Sequence, residues 1–278
     1  MSVQNSTTRW RAFGLHAFIL PLALVWLMPI WLMFVFATLG DKAIFSPEIQ
    51  LWPGSEFFTN FERLQEDLDF VRTVFVSFVV ALVYTAASVV LTSMAGWAIA
   101  IYSFRGKWVV LGLILGTLTL PYFVVVIPQF IMVARDFGLS NTWVALVVPP
   151  LFNSLGVLFM RQAFASMPKE LFDAARVEGV KEWQIFVFVA MPLAKPMLAA
   201  LSIILFLHSW NNYLWPLLIS NDKTMMTAPV ALGSLFGLVD VSWGGVMVGA
   251  TLMTAPMLVV FVFLQRFFLA GITAGAVK

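Results

Sequence analysis

An all-α membrane protein that crosses the bilayer about six times is the fold class the amino-acid sequence predicts, and three observations predict it. Of 278 residues, 61% are hydrophobic and 11% charged, against about 45–50% apolar and about 25% charged in a soluble globular domain. The charges leave uncharged runs at 12–40, 73–104, 108–134, 137–160, 196–221, 224–239 and 241–265. All but 224–239 exceed the roughly 20 residues that a spanning helix needs. With the N-terminus inside, eleven lysines and arginines lie in cytoplasmic segments and five outside, the asymmetry that sets orientation. Both termini are expected in the cytoplasm.

Taken in order, residues 1–11 read as a polar cytoplasmic tail and 12–272 as one membrane domain, with a second cytoplasmic tail at 273–278. The first run is too long for the about 7–15-residue core of a cleavable signal, and Pro21 and Pro29 predict kinks in it. An acidic outer segment of about 30 residues follows, holding seven carboxylates from Asp41 to Asp69, and accords with the positive-inside orientation. The second and third helices join through the basic turn Ser103-Phe104-Arg105-Gly106-Lys107, and the third and fourth through Asp136 to Asn141 outside. Between the fourth and fifth lies a cytoplasmic loop, 162–195. The run 224–239 reads as an outer loop or a partly re-entrant segment. No repeat or low-complexity tract interrupts the chain.

The chemistry that the spans lack narrows the function. No charged residue lies near the centre of a predicted span, whereas ion-coupled transporters need ionisable groups at membrane depth. There is no G-x-x-x-x-G-K-[ST] phosphate loop, no H-E-x-x-H and no G-x-S-x-G. Cysteine is absent, and His16 and His208 are too far apart in sequence to suggest a metal centre. A formal charge of +2 gives no reason to expect a nucleic-acid partner. An enzyme reading has no catalytic residues to rest on, so uphill transport would draw its energy from a partner.

The cytoplasmic loop reads as two amphipathic helices with a glycine elbow. Ser166 is a candidate N-cap, Pro168 suits the first turn, and Gly179 suits a left-handed C-terminal position. Leu171, Ala174 and Ala175 share one face; after the elbow Trp183, Phe186, Val187 and Ala190 form a stripe that stops at Pro192. Such a loop either lies on lipid headgroups or docks a protein. Its charges nearly balance, with Glu170, Asp173, Glu178 and Glu182 against Lys169, Arg176, Lys181, Lys195 and the adjoining Arg161, which favours a protein.

Asp173-Ala174-Ala175, three residues, Gly179, nine residues, then Val189-Ala190-Met191-Pro192 resembles the EAA loop of bacterial ABC importer permeases, E-A-A-x3-G-x9-I-x-L-P. This chain carries Asp for Glu, Val for Ile and Met for Leu. Trp210-Asn211-Asn212-Tyr213-Leu214-Trp215-Pro216-Leu217 is similar to the W-N-x-x-x-W-P-L signature of carbohydrate-uptake permeases, and the likeness extends over nearly all of 12–272. It is strongest to the shorter of the two paired subunits in systems of the maltose and glycerol-3-phosphate type. The resemblance implies a bacterial inner-membrane subunit paired with a longer homologous permease. It further implies a dimer of cytoplasmic ABC ATPases that holds the ATP and magnesium, and an extracytoplasmic solute-binding protein. This chain would bind no cofactor. Alternating access would follow from ATPase closure acting on the coupling residues Glu170, Asp173, Ala174, Ala175, Gly179, Trp183 and Pro192.

Polar groups inside the spans have two readings. Asn153, Tyr122, Gln129, His208, Asn211 and Asn212 either bond a neighbouring helix or a carbonyl freed at a proline, or they face substrate. An asparagine amide suits a hydroxyl, and a tryptophan face suits a sugar ring. Trp210, Asn211, Asn212, Trp215, Asn153 and Tyr122 are therefore the pathway candidates for a sugar or sugar-like polyol. The stretch Gly233–Gly245, with Phe236 and Trp243, resembles the loop that faces the binding protein; its glycines equally suit helix packing. Two alternatives stand beside this reading: the same architecture importing glycerol-3-phosphate or a glycerol-linked sugar, and a stand-alone channel or facilitator that copurifies with no ATPase.

Overall fold

The computed structural model describes the backbone over residues 4–237 and 241–276, and side chains over 15–237 and 241–263. It is helical throughout, with no strand among the described residues. The helices are α1 (Gln4–Ala37), α2 (Asp41–Ile44), α3 (Phe57–Leu68), α4 (Phe70–Ile101), α5 (Lys107–Thr119), α6 (Tyr122–Phe130), α7 (Trp143–Val147) and α8 (Ser154–Ala165). There follow α9 (Lys169–Val177), α10 (Glu182–Gln184), α11 (Met191–Leu193), α12 (Lys195–Trp210), α13 (Leu214–Ile219), α14 (Ala228–Leu235) and α15 (Trp243–Ala276). The tails expected at 1–11 and 273–278 are helical from Gln4 and as far as Ala276.

Three stretches are long and apolar enough to cross a bilayer unbroken: Leu15–Ala37, Phe70–Ile101 and Trp243–Phe263. Three bent pairs bring the number to six if each pair makes one span. Two of the pairs correct the simple helices expected at 108–134 and 137–160. The first bends by 97° between α5 and the segment Tyr122–Asp136. Pro121 marks the bend: Leu120 before it is extended (φ −76°, ψ 124°), the conformation favoured before proline. Beyond Pro128 the helix widens into a π turn over Ile131–Asp136. The second bends by 51°, where Pro149-Pro150 end one helix and Asn153 caps the next by accepting the Gly156 N–H at 2.8 Å. The run expected as loop or re-entrant segment holds helix α14, while residues 238–240 lie outside the described part.

The chain divides into two compact units. One comprises the chain up to Phe70 with Leu232–Ala255. Here the C-terminal end of α1 is closed by side chains. Asn60 on α3 donates to the carbonyls of Ala37 and Leu39 at 3.0 and 2.8 Å, and the Thr38 hydroxyl accepts the Gly54 N–H at 2.8 Å. Such groups supply partners to the orphan carbonyls of a helix end. Gly244 stands against Asn60, where a Cβ would come within 2.5 Å of its amide, and donates its N–H to Asp41 at 2.9 Å.

The other unit comprises Val71–Ala231 and the chain from Pro256 on. Its core gathers Trp97, Met160, Phe164, Phe172, Ile185, Leu201, Leu205 and Trp215. α4 and α8 approach through glycines, the small-residue packing common between membrane helices. A Cβ on Gly96 would lie 2.7 Å from the Arg161 nitrogen, and one on Gly156 would lie 2.9 Å from the Thr92 methyl. The Asn141 carboxamide oxygen accepts the N–H groups of Asn221 and Asp222 at 2.7 and 2.9 Å, which ties two loops together.

Candidate functional site

The loop at 162–195 is built around one buried ring. Pro168 precedes α9, Glu170 lies in its first turn and Arg176 in its last, each charge facing the favourable end of the helix dipole. Gly179 takes φ +79°. Its N–H donates to the Arg176 carbonyl at 3.0 Å, and the Val180 N–H reaches the Ala175 carbonyl at 3.1 Å, the paired bonds of a Schellman ending. Phe172 is 1% exposed and meets Trp97 of α4 edge-on, centroids 4.9 Å apart. Phe164 and Phe186 close on the same indole at 5.3 and 5.9 Å. The opposite face of α9 is bare: Leu171 and Ala174 are exposed and Val177 is 89% exposed.

Charge ties the loop together across the elbow. Arg176 donates from Nη1 to Asp173 Oδ1 and from Nε to Glu182 Oε1, both at 2.7 Å. The Tyr102 hydroxyl donates to Glu182 Oε2 at 2.7 Å and accepts the Trp97 indole N–H at 3.3 Å. The Arg176 guanidinium, then the Tyr102 hydroxyl, hold the Glu182 carboxyl below the usual carboxylate range, and Glu182, then Asp173, push Arg176 up. Because the Glu182 value in the fold is lowered, the stabilisation it carries is present at neutral pH. It is lost as pH falls through the lowered value.

The coupling candidates come together here with three corrections. Ser166 is not the N-cap of α9. It ends α8, where its hydroxyl donates to the Ala163 carbonyl at 2.8 Å, and Pro168 holds the N-cap position. The stripe expected after Gly179 is split by a π turn over Ile185–Ala190: Ile185 and Ala190 face in, while Trp183 (58% exposed) and Val187 face out. Asp173 is exposed but already paired with Arg176. Glu170 and Pro192 are exposed and Ala175 is half-buried. Phe172 and Tyr102 are the residues of this loop cluster that the sequence reading does not single out. Phe172 left a signal, an aromatic three residues before Ala175 on the face opposite Ala174.

The pathway candidates divide. Trp210 is 1% exposed and stacks on Phe206 at 5.7 Å, so its ring serves packing. Asn211 ends α12, donating back to the Leu207 carbonyl at 3.0 Å. Asn153 is a cap, and Gln129 donates to the Pro149 carbonyl at 3.1 Å, the local-partner reading in both cases. Tyr122 is exposed at the start of α6. Asn212 and Trp215 do line a small pocket, with Tyr84, His208, Ser209 and Thr227. The Trp215 indole N–H is spent on the Ala145 carbonyl at 2.9 Å, whereas the buried Thr227 hydroxyl has no hydrogen-bond partner among the described residues. Phe236 is exposed, and Trp243 sits edge-on to it and to Phe45 at 5.8 and 5.5 Å. Gly244 beside it is a packing notch against Asn60.

Long apolar helices, with bent apolar pairs between them, define a membrane protein. The chain belongs to the family of binding-protein-dependent transport system inner membrane components, whose model it matches over residues 88–273. It is similar to the arabinooligosaccharides transport system permease protein AraQ of Halalkalibacterium halodurans, 36% identical over 72% of this chain and 71% of that protein. It is similar as well to the lactose permease protein LacG of Rhizobium radiobacter, 35% identical over 81% and 82%. The sn-glycerol-3-phosphate permease protein UgpE of Brucella abortus is 32% identical over 88% and 89%. A chain of a bacterial ABC transporter that imports the acidic polysaccharide alginate shares the fold, with a TM-score of 0.78 at 21% identity over 95% and 98%.

Proposed function

We propose that this chain is one of two paired permeases of an ABC importer that carries a sugar or sugar-like polyol into the cytoplasm. The bare outer face of α9, held in place by Phe172 behind it, is the observation that carries the reading. An apolar face bounded by charges and braced on the membrane helices is what a cytoplasmic ATPase needs in order to push. ATP and magnesium belong to those ATPases. A longer homologous permease completes the pathway, and a solute-binding protein delivers the substrate outside. A neutral carbohydrate is favoured over a phosphate ester, because a buried phosphate needs an arginine, a lysine or a helix N-terminus and no basic residue lies deep in a span. The relatives named for arabinooligosaccharides and lactose support this; the relative named for glycerol-3-phosphate is the competing case.

The test expresses the chain with its paired permease, ATPases and binding protein. The binding protein is then titrated with lactose, arabinooligosaccharides, alginate oligomers and glycerol-3-phosphate. A neutral sugar that binds and is imported with ATP supports the reading. Tight glycerol-3-phosphate binding without sugar binding overturns the substrate, and a chain that holds no ATPase overturns the importer. Orientation has its own test, made clean by the absence of native cysteine. Single cysteines at Glu56 and Asn221 are expected to react with an impermeant maleimide in whole cells, and those at Lys107 and Lys181 only after lysis. Labelling of position 181 from outside would invert the topology.

A further inference from the structure

The loop carries a closed circuit of side chains that the docking motif does not require. It runs from Phe172 on α9 to Trp97, from the Trp97 indole N–H to the Tyr102 hydroxyl, and from Tyr102 to Glu182. From Glu182 it passes to Arg176 and so back to Asp173 on α9. Without the circuit, α9 is hinged at both ends. Ser166 to Pro168 are non-helical before it, and Gly179, at φ +79° with nothing within 4 Å of where a Cβ would stand, ends it.

We propose that Tyr102 and Glu182 are positioning residues that latch the loop to the inner end of α4, so that loop and helix move as one body. The proposal rests on the docking reading above. Packing of Phe172 on Trp97 transmits a push, because rings resist overlap. The return stroke is a pull, and short-range dispersion weakens steeply as surfaces part. Directional, charge-assisted bonds resist separation and fix orientation. Arg176 spans the elbow by holding Asp173 on one side and Glu182 on the other. Tyr102 then joins Glu182 to α4, one residue past its end at Ile101, where Lys107 also grips the Tyr102 carbonyl at 3.0 Å. The latch makes the two helices of the loop and α4 a single lever.

The test needs no knowledge of the cargo. The assembled complex carries Asn211→Cys as the one cysteine of this chain, in the break between α12 and α13. Its reaction with external maleimide is timed with and without ATP and vanadate, which trap closed ATPases. In the parent complex, trapping is expected to change the labelling rate. With Tyr102→Phe or Glu182→Ala, nucleotide stays trapped on the ATPases while the change in labelling shrinks about fivefold or more, the low end of a coupling between distant sites. Glu182→Gln, which keeps an oxygen for the Tyr102 hydroxyl, falls less. An undiminished labelling change in Tyr102→Phe and Glu182→Ala overturns the latch, as does a loss of trapped nucleotide in step with the labelling change, the mark of a merely structural role. A parent complex that retains no ATPase overturns the docking reading instead.

Discussion

Gly179→Pro is expected to abolish uptake while the protein remains in the membrane at its normal level. The residue sits at φ +79°, which proline cannot adopt because its ring fixes φ near −65°. The substitution also deletes the N–H that bonds the Arg176 carbonyl. Proline where the backbone forbids it costs about 3 kcal/mol or more, and the chain escapes that cost by redirecting everything after Val177. Glu182 then loses register with both Arg176 and Tyr102. The elbow lies outside the predicted spans, so insertion is unaffected. Uptake measured beside the quantity of protein in the membrane fraction reads both halves, and wild-type uptake would show that the elbow geometry is dispensable.

Phe172→Ala is expected to cost about 3–5 kcal/mol of local packing, as truncation of a buried phenylalanine does. Its ring is the piece of α9 that fills the space among Trp97, Phe164 and Phe186. With the ring gone, the loop should detach from α4, become a protease target and lose its ATPase. Leu171→Ala one position earlier is the contrast. That side chain is 46% exposed, so stability should shift by only about 0.5 kcal/mol or less, while copurification with the ATPase weakens. Limited proteolysis and ATPase recovery, measured on both variants, separate the inward face from the outward one. Equal behaviour of the two would mean that α9 has no distinct faces.

Much of this was legible in sequence for one reason: charges are costly in hydrocarbon, so their positions mark where the chain leaves it. The long apolar stretches and the elbow at Gly179 follow from charge and glycine placement alone. The breaks were less legible. Pro121 and Pro128 look alike on paper, yet the chain bends by 97° at the first and continues through the second, because neighbouring helices decide which freed carbonyls find partners. Trp210 shows the limit at the site. A tryptophan beside an asparagine pair has the right chemistry for a sugar, but rotation about the helix axis decides what the ring meets, and here it meets Phe206. The face on which Phe172 lies was open to the same ambiguity, since Leu171 and Phe172 are adjacent and only one of them can point inward. Asn60 left no pattern at all, as its partners lie more than twenty positions back.

The way Asn60, Asp41 and Gly244 finish the C-terminal end of α1 sets a timetable for biogenesis. The first span is synthesised before any of the groups that complete it. Asn60 emerges about a segment later, and Gly244, which packs on the Asn60 amide and bonds Asp41, arrives only with the last helix. Until then the nascent chain exposes an outer segment whose polar backbone has to be satisfied by water or by the insertion machinery. Chains truncated before Trp243 are therefore expected to insert their early spans yet be cut by external protease between residues 41 and 69, where the full-length protein resists. Resistance in the truncated chain would mean that the segment closes without the last helix. The first helix to enter the bilayer is, on this timetable, the last to be finished.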